Sequence, residues 1–354
     1  MQYIQPRPSS IVAALYTVRD LEVDVAILHG PSGCSFKHAR LLEEDGMRVL
    51  TTSLSDNEFI FGGQSSLEQV LRYAEARFSP HRMAVIGTCV SMIIGEDMAA
   101  AIDSAEITTP TIAVPIHAGF RENIAGVMAA LEPAADAGWI SREELERQRF
   151  LLDKANEVER LRGAASKPYI EPSRGDLKHK VASRLLQLAD EGAHGVAVLN
   201  AKKETAYMFA DPLLALHDTC PLASIVYGAN LEDRGLPKVR RDAARIREGM
   251  VTGGVAPVFM GALDEYGANG DLVGHWLQEQ APAFALLAGV PHAVPRDYTD
   301  GIEMFSITNG PRQVEPLHDL GHAHVVVEVD LHPKTLGVRA IVESEFGAVL
   351  RSLR

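Results

Sequence analysis

One stretch near the N-terminus, residues 23–34, limits the possible folds more than any other part of the chain. It joins an apolar run rich in β-branched residues to a turn of two glycines and a proline, and it ends in Cys34. The run predicts a buried strand, the turn breaks it, and residues 35–45 favour a helix. We therefore expect Cys34 at a strand-to-helix junction, near unpaired backbone N–H groups and the positive end of the helix dipole. That environment lowers the pKa of a thiol and favours the thiolate that binds metals.

The same arrangement appears a second time at residues 83–89, where an apolar run and a glycine lead to Cys89. The carboxyl ends of parallel strands share one edge of a sheet, and open α/β sheets bind ligands there. The sequence therefore predicts Cys34 and Cys89 at one edge, in a site for a metal or cluster, with inert burial as the alternative for each thiol. Cys220 follows a predicted helix rather than opening one, and we interpret it as structural.

Predicted strands and helices alternate along the chain, which favours an α/β fold of two Rossmann-like domains with parallel, helix-covered sheets. We expect an N-terminal domain at 1–165, with both cysteine junctions and a connecting helix, and a C-terminal domain at 166–354 that ends in a helix. The predicted strands are 23–30, 48–54, 83–87, 111–117, 195–199, 224–227, 258–260, 284–288 and 325–329. The main predicted helices are 11–21, 65–78, 120–138, 143–162, 177–189, 238–250, 271–280 and 339–353.

Composition excludes several classes of function. The chain has 354 residues, with 34 basic and 47 acidic side chains and a net charge of −13. It therefore lacks the basic excess that nucleic-acid binding needs. No apolar run approaches the roughly 20 residues of a membrane span, and the first residues show no signal-peptide pattern, so we expect a cytoplasmic protein with no membrane partner. Three widely separated cysteines do not form a disulfide framework.

Two cysteine junctions supply only half the ligands of a common metal centre. A structural zinc site takes four ligands, generally in close pairs, and the chain has no C-x-x-C or H-E-x-x-H motif. A [4Fe–4S] cluster is also held by about four ligands, normally thiolates. A two-fold homodimer would bring Cys34 and Cys89 of both protomers around one axis. The resulting hypothesis is a [4Fe–4S] cluster shared across a homodimer.

Several segments resemble the nitrogenase component 1 family. Residues 29–40 and 87–97 are similar to its cluster-binding segments. Four further segments are similar to the larger subunits of its nickel-tetrapyrrole reductive cyclases: 7–16, 171–176, 200–211 and 289–295. The resemblance implies that Cys34 and Cys89 bind the cluster. Because the larger relatives draw cluster ligands from two different subunits and usually use more cysteines, a non-cysteine ligand stays possible.

The resemblance also implies an activity and its partners. The implied enzyme reduces a nickel tetrapyrrole, its substrate, by six electrons and closes a γ-lactam ring, in the biosynthesis of the nickel coenzyme of methyl-coenzyme M reductase. The implied partners are a second copy of the chain and an iron–sulfur reductase similar to nitrogenase iron protein (NifH-like), which hydrolyses ATP. This chain lacks the G-x-x-x-x-G-K-[ST] motif, so ATP is expected on the partner subunit.

An anionic tetrapyrrole needs local cations in a chain with this net charge. The candidates for substrate binding near predicted strand ends are Lys37, His38, Arg40, Arg121, Lys202, Lys203 and His292. For Lys37 and Arg40, solvated charges on a helix surface are an equal alternative. The candidate proton donors for the reduction are His29, His117 and His292. A purely structural histidine is the alternative for each of them.

Other functional classes stay open at this point. A tetrapyrrole-binding scaffold without redox activity and a related nitrogenase-like tetrapyrrole reductase fit the same patterns. A two-domain solute binder also fits the domain pattern, but the missing signal peptide counts against it. Residues 55–63, with Phe59 and Phe61, are expected to form a loop, which either faces an electron donor or is an ordinary surface loop. Iron content separates the redox enzyme from the scaffold and the solute binder.

Overall fold

The computed structural model describes residues 9–120, 124–203, 205–328 and 335–354. These residues form two compact units. The N-terminal unit consists of the described residues up to Arg149 together with Leu236–Lys238, and the C-terminal unit consists of 150–235 and the described residues from 239 onward. Within the described ranges, no helix has the length and the apolar character that crossing a membrane requires.

The N-terminal unit is built on a four-stranded parallel sheet with the strand order β2-β1-β3-β4. Its strands are β1 (Val25–His29), β2 (Arg48–Thr51), β3 (Met83–Gly87) and β4 (Thr111–Val114). Its helices are α1 (Ser10–Asp20), α2 (Phe36–Glu44), α3 (Asp56–Phe61), α4 (Gln64–Phe78), α5 (Cys89–Ile93), α6 (Met98–Ser104) and α7 (Ile124–Asp136). The strands β1 and β3 are fully buried: apolar side chains of α4 and α6 pack against one face of the sheet, and α1 contacts β3.

The C-terminal unit contains a six-stranded parallel sheet with the order β10-β9-β8-β5-β6-β7. Its strands are β5 (Gly195–Asn200), β6 (Ile225–Ala229), β7 (Val258–Phe259), β8 (Phe284–Gly289), β9 (Glu303–Thr308) and β10 (His324–Val327). The chain first adds β6 and β7 on one side of β5 and then adds β8, β9 and β10 on the other. The crevice between β5 and β8 is therefore the topological switch point, where doubly wound sheets bind ligands.

The remaining helices cover these strands or connect them. They are α8 (Arg142–Arg162), α9 (Lys178–Asp190), α10 (Ala206–Phe209), α11 (Asp211–Thr219), α12 (Pro237–Thr252), α13 (Gly270–Gln280), α14 (Val314–Asp319) and α15 (Glu345–Ser352). A 3₁₀ turn, Pro291–Ala293, follows β8. Ser141 caps α8, since its hydroxyl accepts the Glu144 N–H at 3.0 Å.

The structure confirms the α/β class with parallel sheets, but several predicted elements are wrong. Residues 55–63 are not simply a loop: they contain α3, which begins with a capping box between Ser55 and Glu58. The strand β9 was not predicted. The terminal helix begins at Glu345 rather than at residue 339, because Ser344 caps it and is itself bound by the buried Asp211. Residues 121–123 of the predicted helix 120–138 and residue 329 of the predicted strand 325–329 lie outside the described residues.

Candidate functional site

Cys34 and Cys89 lie at the carboxyl edge of the N-terminal sheet. Their strands, β1 and β3, are hydrogen-bonded neighbours, with His29 opposite Gly87 at their carboxyl ends. Cys89 is the first residue of α5, and its Sγ accepts the Ala118 N–H at 3.3 Å. One chain therefore presents two half-buried thiols together.

The prediction of a lowered pKa for Cys34 is wrong. Burial of the thiol raises its pKa above the usual value, and the contact with the Ser35 hydroxyl offsets this only in part. The physical reason lies in the local backbone. Helix α2 begins at Phe36, and its N-cap Ser35 has the left-handed φ of 53°, so Cys34 lies in the preceding turn rather than in the first turn of the helix. The helix dipole acts mainly within the first turn.

Apolar side chains are exposed around this edge. One or two of them follow the carboxyl end of each strand in the N-terminal sheet, and we name this set the apolar rim: Phe36 after β1, Ile60 and Phe61 after β2, Ile93 after β3 and Phe120 after β4. Phe61 and Ile93 are 84% and 82% exposed. Large apolar side chains grouped around one edge are typical of a surface that another protein covers.

A buried hydrogen-bond network connects the segments at the carboxyl edge of this sheet. The His29 ring is fully buried; its Nε2 lies 3.3 Å from Glu96 Oε2 and its Nδ1 lies 3.1 Å from the Thr52 hydroxyl. The other Glu96 oxygen accepts the Gly63 N–H at 2.5 Å. Burial lowers the pKa of His29, and the neighbouring carboxylate of Glu96 opposes that shift. His29, the last residue of β1, therefore connects the segments that follow β2 and β3.

The predicted cations of the N-terminal unit have different surroundings. Lys37 is exposed, and Arg40 is exposed and pairs with Glu43 at 2.6 Å. His38 is half-buried with its ring edge-on to Tyr16. His117 is half-buried and stacks on Phe120 with 4.4 Å between ring centroids, beside the loop that contacts Cys89. Arg121 lies outside the described residues.

In the C-terminal unit, Lys203 is half-buried next to Lys202 in the chain, and Lys202 and His292 meet at the switch point. Both contact one carboxylate that was not predicted, that of Glu159 on α8: His292 Nε2 lies 3.3 Å and Lys202 Nζ lies 3.7 Å from its Oε1. Burial favours the neutral acid, but His292, Lys202 and Gln313 together outweigh it and lower the pKa of Glu159. Lys202 is thus engaged by the protein's own carboxylate.

No sequence signal marks Glu159. It lies within a helix of charged residues that looks solvated throughout, and its partners come from segments 43 to 154 residues further along the chain. Only the topology of the C-terminal sheet brings them together.

Among the described residues, no group of three or more histidine, cysteine, aspartate and glutamate side chains is arranged to hold a metal ion.

Two α/β units with parallel sheets and two cysteines at one sheet edge are compatible with an oxidoreductase component of the nitrogenase type, and comparison with known proteins shows that class. The family model "Nitrogenase component 1 type Oxidoreductase" matches residues 9–136. The Ni-sirohydrochlorin a,c-diamide reductive cyclase complex component CfbD of Methanosarcina acetivorans is 54% identical over 99% of this chain and 97% of its own length. The protein of the same name from Methanothermobacter thermautotrophicus is 48% identical over 98% of both.

A solved structure titled "Nitrogenase Cp1 at pH 6.5" matches 90% of this chain and 49% of that chain, with a TM-score of 0.33 and 18% identity. That likeness is too weak to support any argument about this chain. The relatives that match at nearly full length settle the family. The chain belongs to the nitrogenase component 1 type oxidoreductases, in the group of CfbD components of reductive cyclase complexes. It is an enzyme component of the nitrogenase-like oxidoreductase type.

Proposed function

We propose that this chain is the catalytic component of a complex that reduces Ni-sirohydrochlorin a,c-diamide by six electrons and closes the γ-lactam, in biosynthesis of the nickel coenzyme of methyl-coenzyme M reductase. The names of relatives that match this chain over nearly their whole length support the substrate and the reductive cyclisation. The observation that carries the proposal is the placement of Cys34 and Cys89 at one sheet edge, after two neighbouring parallel strands.

The two thiols fit a [4Fe–4S] cluster that is shared with a second protomer. Thiolates are the usual ligands of such clusters, which need about four of them. The chain has three cysteines, and Cys220 is buried in the C-terminal unit beside Arg354. Each protomer therefore supplies Cys34 and Cys89, and a two-fold axis supplies the other pair. When bound, the cluster would accept and pass on single electrons.

The apolar rim supports a homodimer as the assembly. Its side chains follow the same strand ends as the thiols, so a second copy that completes the ligand set would also cover exposed apolar surface. In an isologous interface the same patch on both copies is self-complementary. The His29–Glu96 network beneath the edge would hold the segments of both the thiols and the rim in place.

An ATP-hydrolysing iron–sulfur reductase of the NifH-like kind is the proposed electron donor, because this chain has no phosphate-binding motif of its own.

Among the candidate proton donors, His117 is best placed. It is half-buried at the cysteine edge, whereas His29 is sealed inside and His292 belongs to the other unit. Lys37, His38, Arg40 and Arg121 remain proposed contacts for the substrate's carboxylates. A cytoplasmic location fits this assignment.

Anaerobic purification of the full chain tests the proposal. We expect four iron atoms and four sulfides per dimer, with Cys34→Ser and Cys89→Ser each losing most of the iron because each removes two of the four ligands from the shared site. Cys220→Ser is the matched control and should keep its iron. Iron-free wild-type protein would favour a tetrapyrrole-binding scaffold, and full iron in both edge variants would contradict the ligand assignment.

A further inference from the structure

The switch point of the C-terminal sheet carries a group of buried polar side chains that the cluster edge does not explain. Asn200 is the last residue of β5, His292 follows β8, and Gln313 follows β9. They are 3%, 2% and 7% exposed. The last residues of the two central strands face each other, with Asn200 opposite Gly289, so these side chains gather at one edge.

Glu159 joins two members of this group. Its Oε2 accepts the Gln313 amide at 2.9 Å, while its Oε1 lies 3.3 Å from His292 Nε2. The end of α8 that carries Glu159 is also fixed to the turn after β8, because the Arg162 guanidinium donates to the carbonyls of His292 and Ala293 at 3.0 and 2.9 Å. The histidine ring and the glutamine amide therefore lie next to each other on one carboxylate.

These contacts fix which atom of each side chain is left over. A carboxylate only accepts, so His292 Nε2 carries the hydrogen, Gln313 turns its NH2 to Glu159, and Gln313 Oε1 points elsewhere. The Asn200 NH2 donates to the Tyr266 carbonyl at 2.9 Å, which leaves Asn200 Oδ1. His292 Nδ1, Gln313 Oε1 and Asn200 Oδ1 are buried and have no hydrogen-bond partner among the described residues.

Asn200 Oδ1 and Gln313 Oε1 are acceptors in every state of the cluster, and His292 Nδ1 is an acceptor only when its ring is neutral. Buried acceptors without donors are costly, so such groups generally mark a missing water or ligand. A carboxylate is a poor occupant, because it offers no hydrogen and would face two amide oxygens beside the carboxylate of Glu159. A neutral group rich in N–H bonds fits this set. The neighbouring Glu159 and Lys202 side chains keep 23% and 31% of their surface exposed, so the cluster borders solvent on their side.

We propose that this switch-point cluster is a carboxamide-binding subsite, in which Asn200 Oδ1 and Gln313 Oε1, beside the His292 ring, accept hydrogen bonds from the two N–H bonds of one amide arm of the nickel tetrapyrrole. The inference rests on the proposed function, since the substrate named for the relatives is a diamide. The subsite would make the protein selective in binding: it would bind the diamide more tightly than the same ring with carboxylates in place of the amides.

The test is an anaerobic binding titration of full-length protein with two probes. One is Ni-sirohydrochlorin a,c-diamide, and the other is the same nickel ring with both carboxamides hydrolysed to carboxylates. We expect wild-type protein to bind the diamide about 10- to 100-fold more tightly, the range for leaving buried acceptors unpaired. Gln313→Met, which removes one acceptor at similar volume, should reduce that ratio about 10-fold. Gln187→Met, on an exposed face of α9, should leave it unchanged.

The outcomes separate this inference from the proposed function. Equal wild-type affinity for the two rings would overturn the subsite and leave the proposed function standing, since ordered water then satisfies the acceptors. An unchanged ratio in Gln313→Met would also overturn it. Binding of neither ring by iron-loaded protein would overturn the proposed function itself. If circular dichroism shows that Gln313→Met does not fold, the affinities of wild-type protein for the two rings still test the subsite.

Discussion

At the scale of single residues, Glu303 at the start of β9 shows how an ion pair shapes stability. Arg184 binds its carboxylate with two hydrogen bonds of 2.9 and 2.8 Å, and His324 lies 2.9 Å away. Arg184 is the largest influence, and together with His324 it lowers the pKa of Glu303 to about 2 against the opposing effect of burial. The pair thus favours the ionised form in the folded chain.

Stability should therefore fall in acid through this residue. The folded pKa of about 2 lies below the unfolded value of 4.5, so the contribution is complete above pH 4.5 and is lost as the pH falls toward 2. The partners are partly exposed, and we expect a loss of about 1 kcal/mol. In urea unfolding at pH 7, Glu303→Gln should have a lower free energy of unfolding than wild type. At pH 3 the difference in unfolding free energy between the two proteins should be smaller. Glu279→Gln, on an exposed residue, is the control; a gap independent of pH would contradict the assignment.

The cysteines could be predicted at this scale and Glu159 could not, for a physical reason. Cys34 and Cys89 sit in local patterns of strand, glycine and cysteine, and parallel strands bring equivalent positions to one edge. Glu159 acquires its role only from side chains far along the chain, His292 and Gln313 among them. The pKa of Cys34 also escaped prediction, because burial and a turn before α2 outweigh the dipole that the sequence suggested.

At the scale of elements, α3 illustrates how tertiary contacts define a short helix. Ser55 and Glu58 cap its start, and Gly63 just beyond its end donates to Glu96. Six residues are too few for an isolated helix to be stable, so sequence patterns alone indicated a loop. The strand β9 was not predicted because polar residues at both of its ends, Glu303 and Thr308, obscure the strand pattern. Its position within the sheet nevertheless buries the residues between them.

We expect Glu96→Ala to loosen α3. The substitution removes the acceptor of the Gly63 N–H and the partner of the fully buried His29, which should destabilise the N-terminal unit by about 2 kcal/mol. Hydrogen exchange at residues 55–63 should accelerate first, because Glu96 anchors that segment. Glu96→Gln keeps an acceptor for Gly63 and should lie between Glu96→Ala and wild type. Unaltered exchange in Glu96→Ala would show that the capping box alone holds α3.

At the scale of the whole molecule, the proposed assembly links the exposed surface to the cluster ligands. The apolar rim and both thiols lie at the carboxyl edge of one sheet, and one chain offers only half of the ligands that the proposed cluster needs there. Dimer formation and cluster retention should therefore depend on each other. A charge placed on the rim should separate the protomers and release the iron even though Cys34 and Cys89 are intact.

Ile93→Glu provides this test. A two-fold interface places the new carboxylate there twice, so two like charges must lose water together. Light scattering under argon should then report the mass of a single 38.4 kDa chain, with iron falling in parallel. Leu222→Glu is the matched control, because Leu222 is 98% exposed and belongs to the C-terminal unit; it should stay dimeric with full iron. A monomeric Ile93→Glu that kept its cluster would mean that one chain holds the cluster without its partner's thiolates.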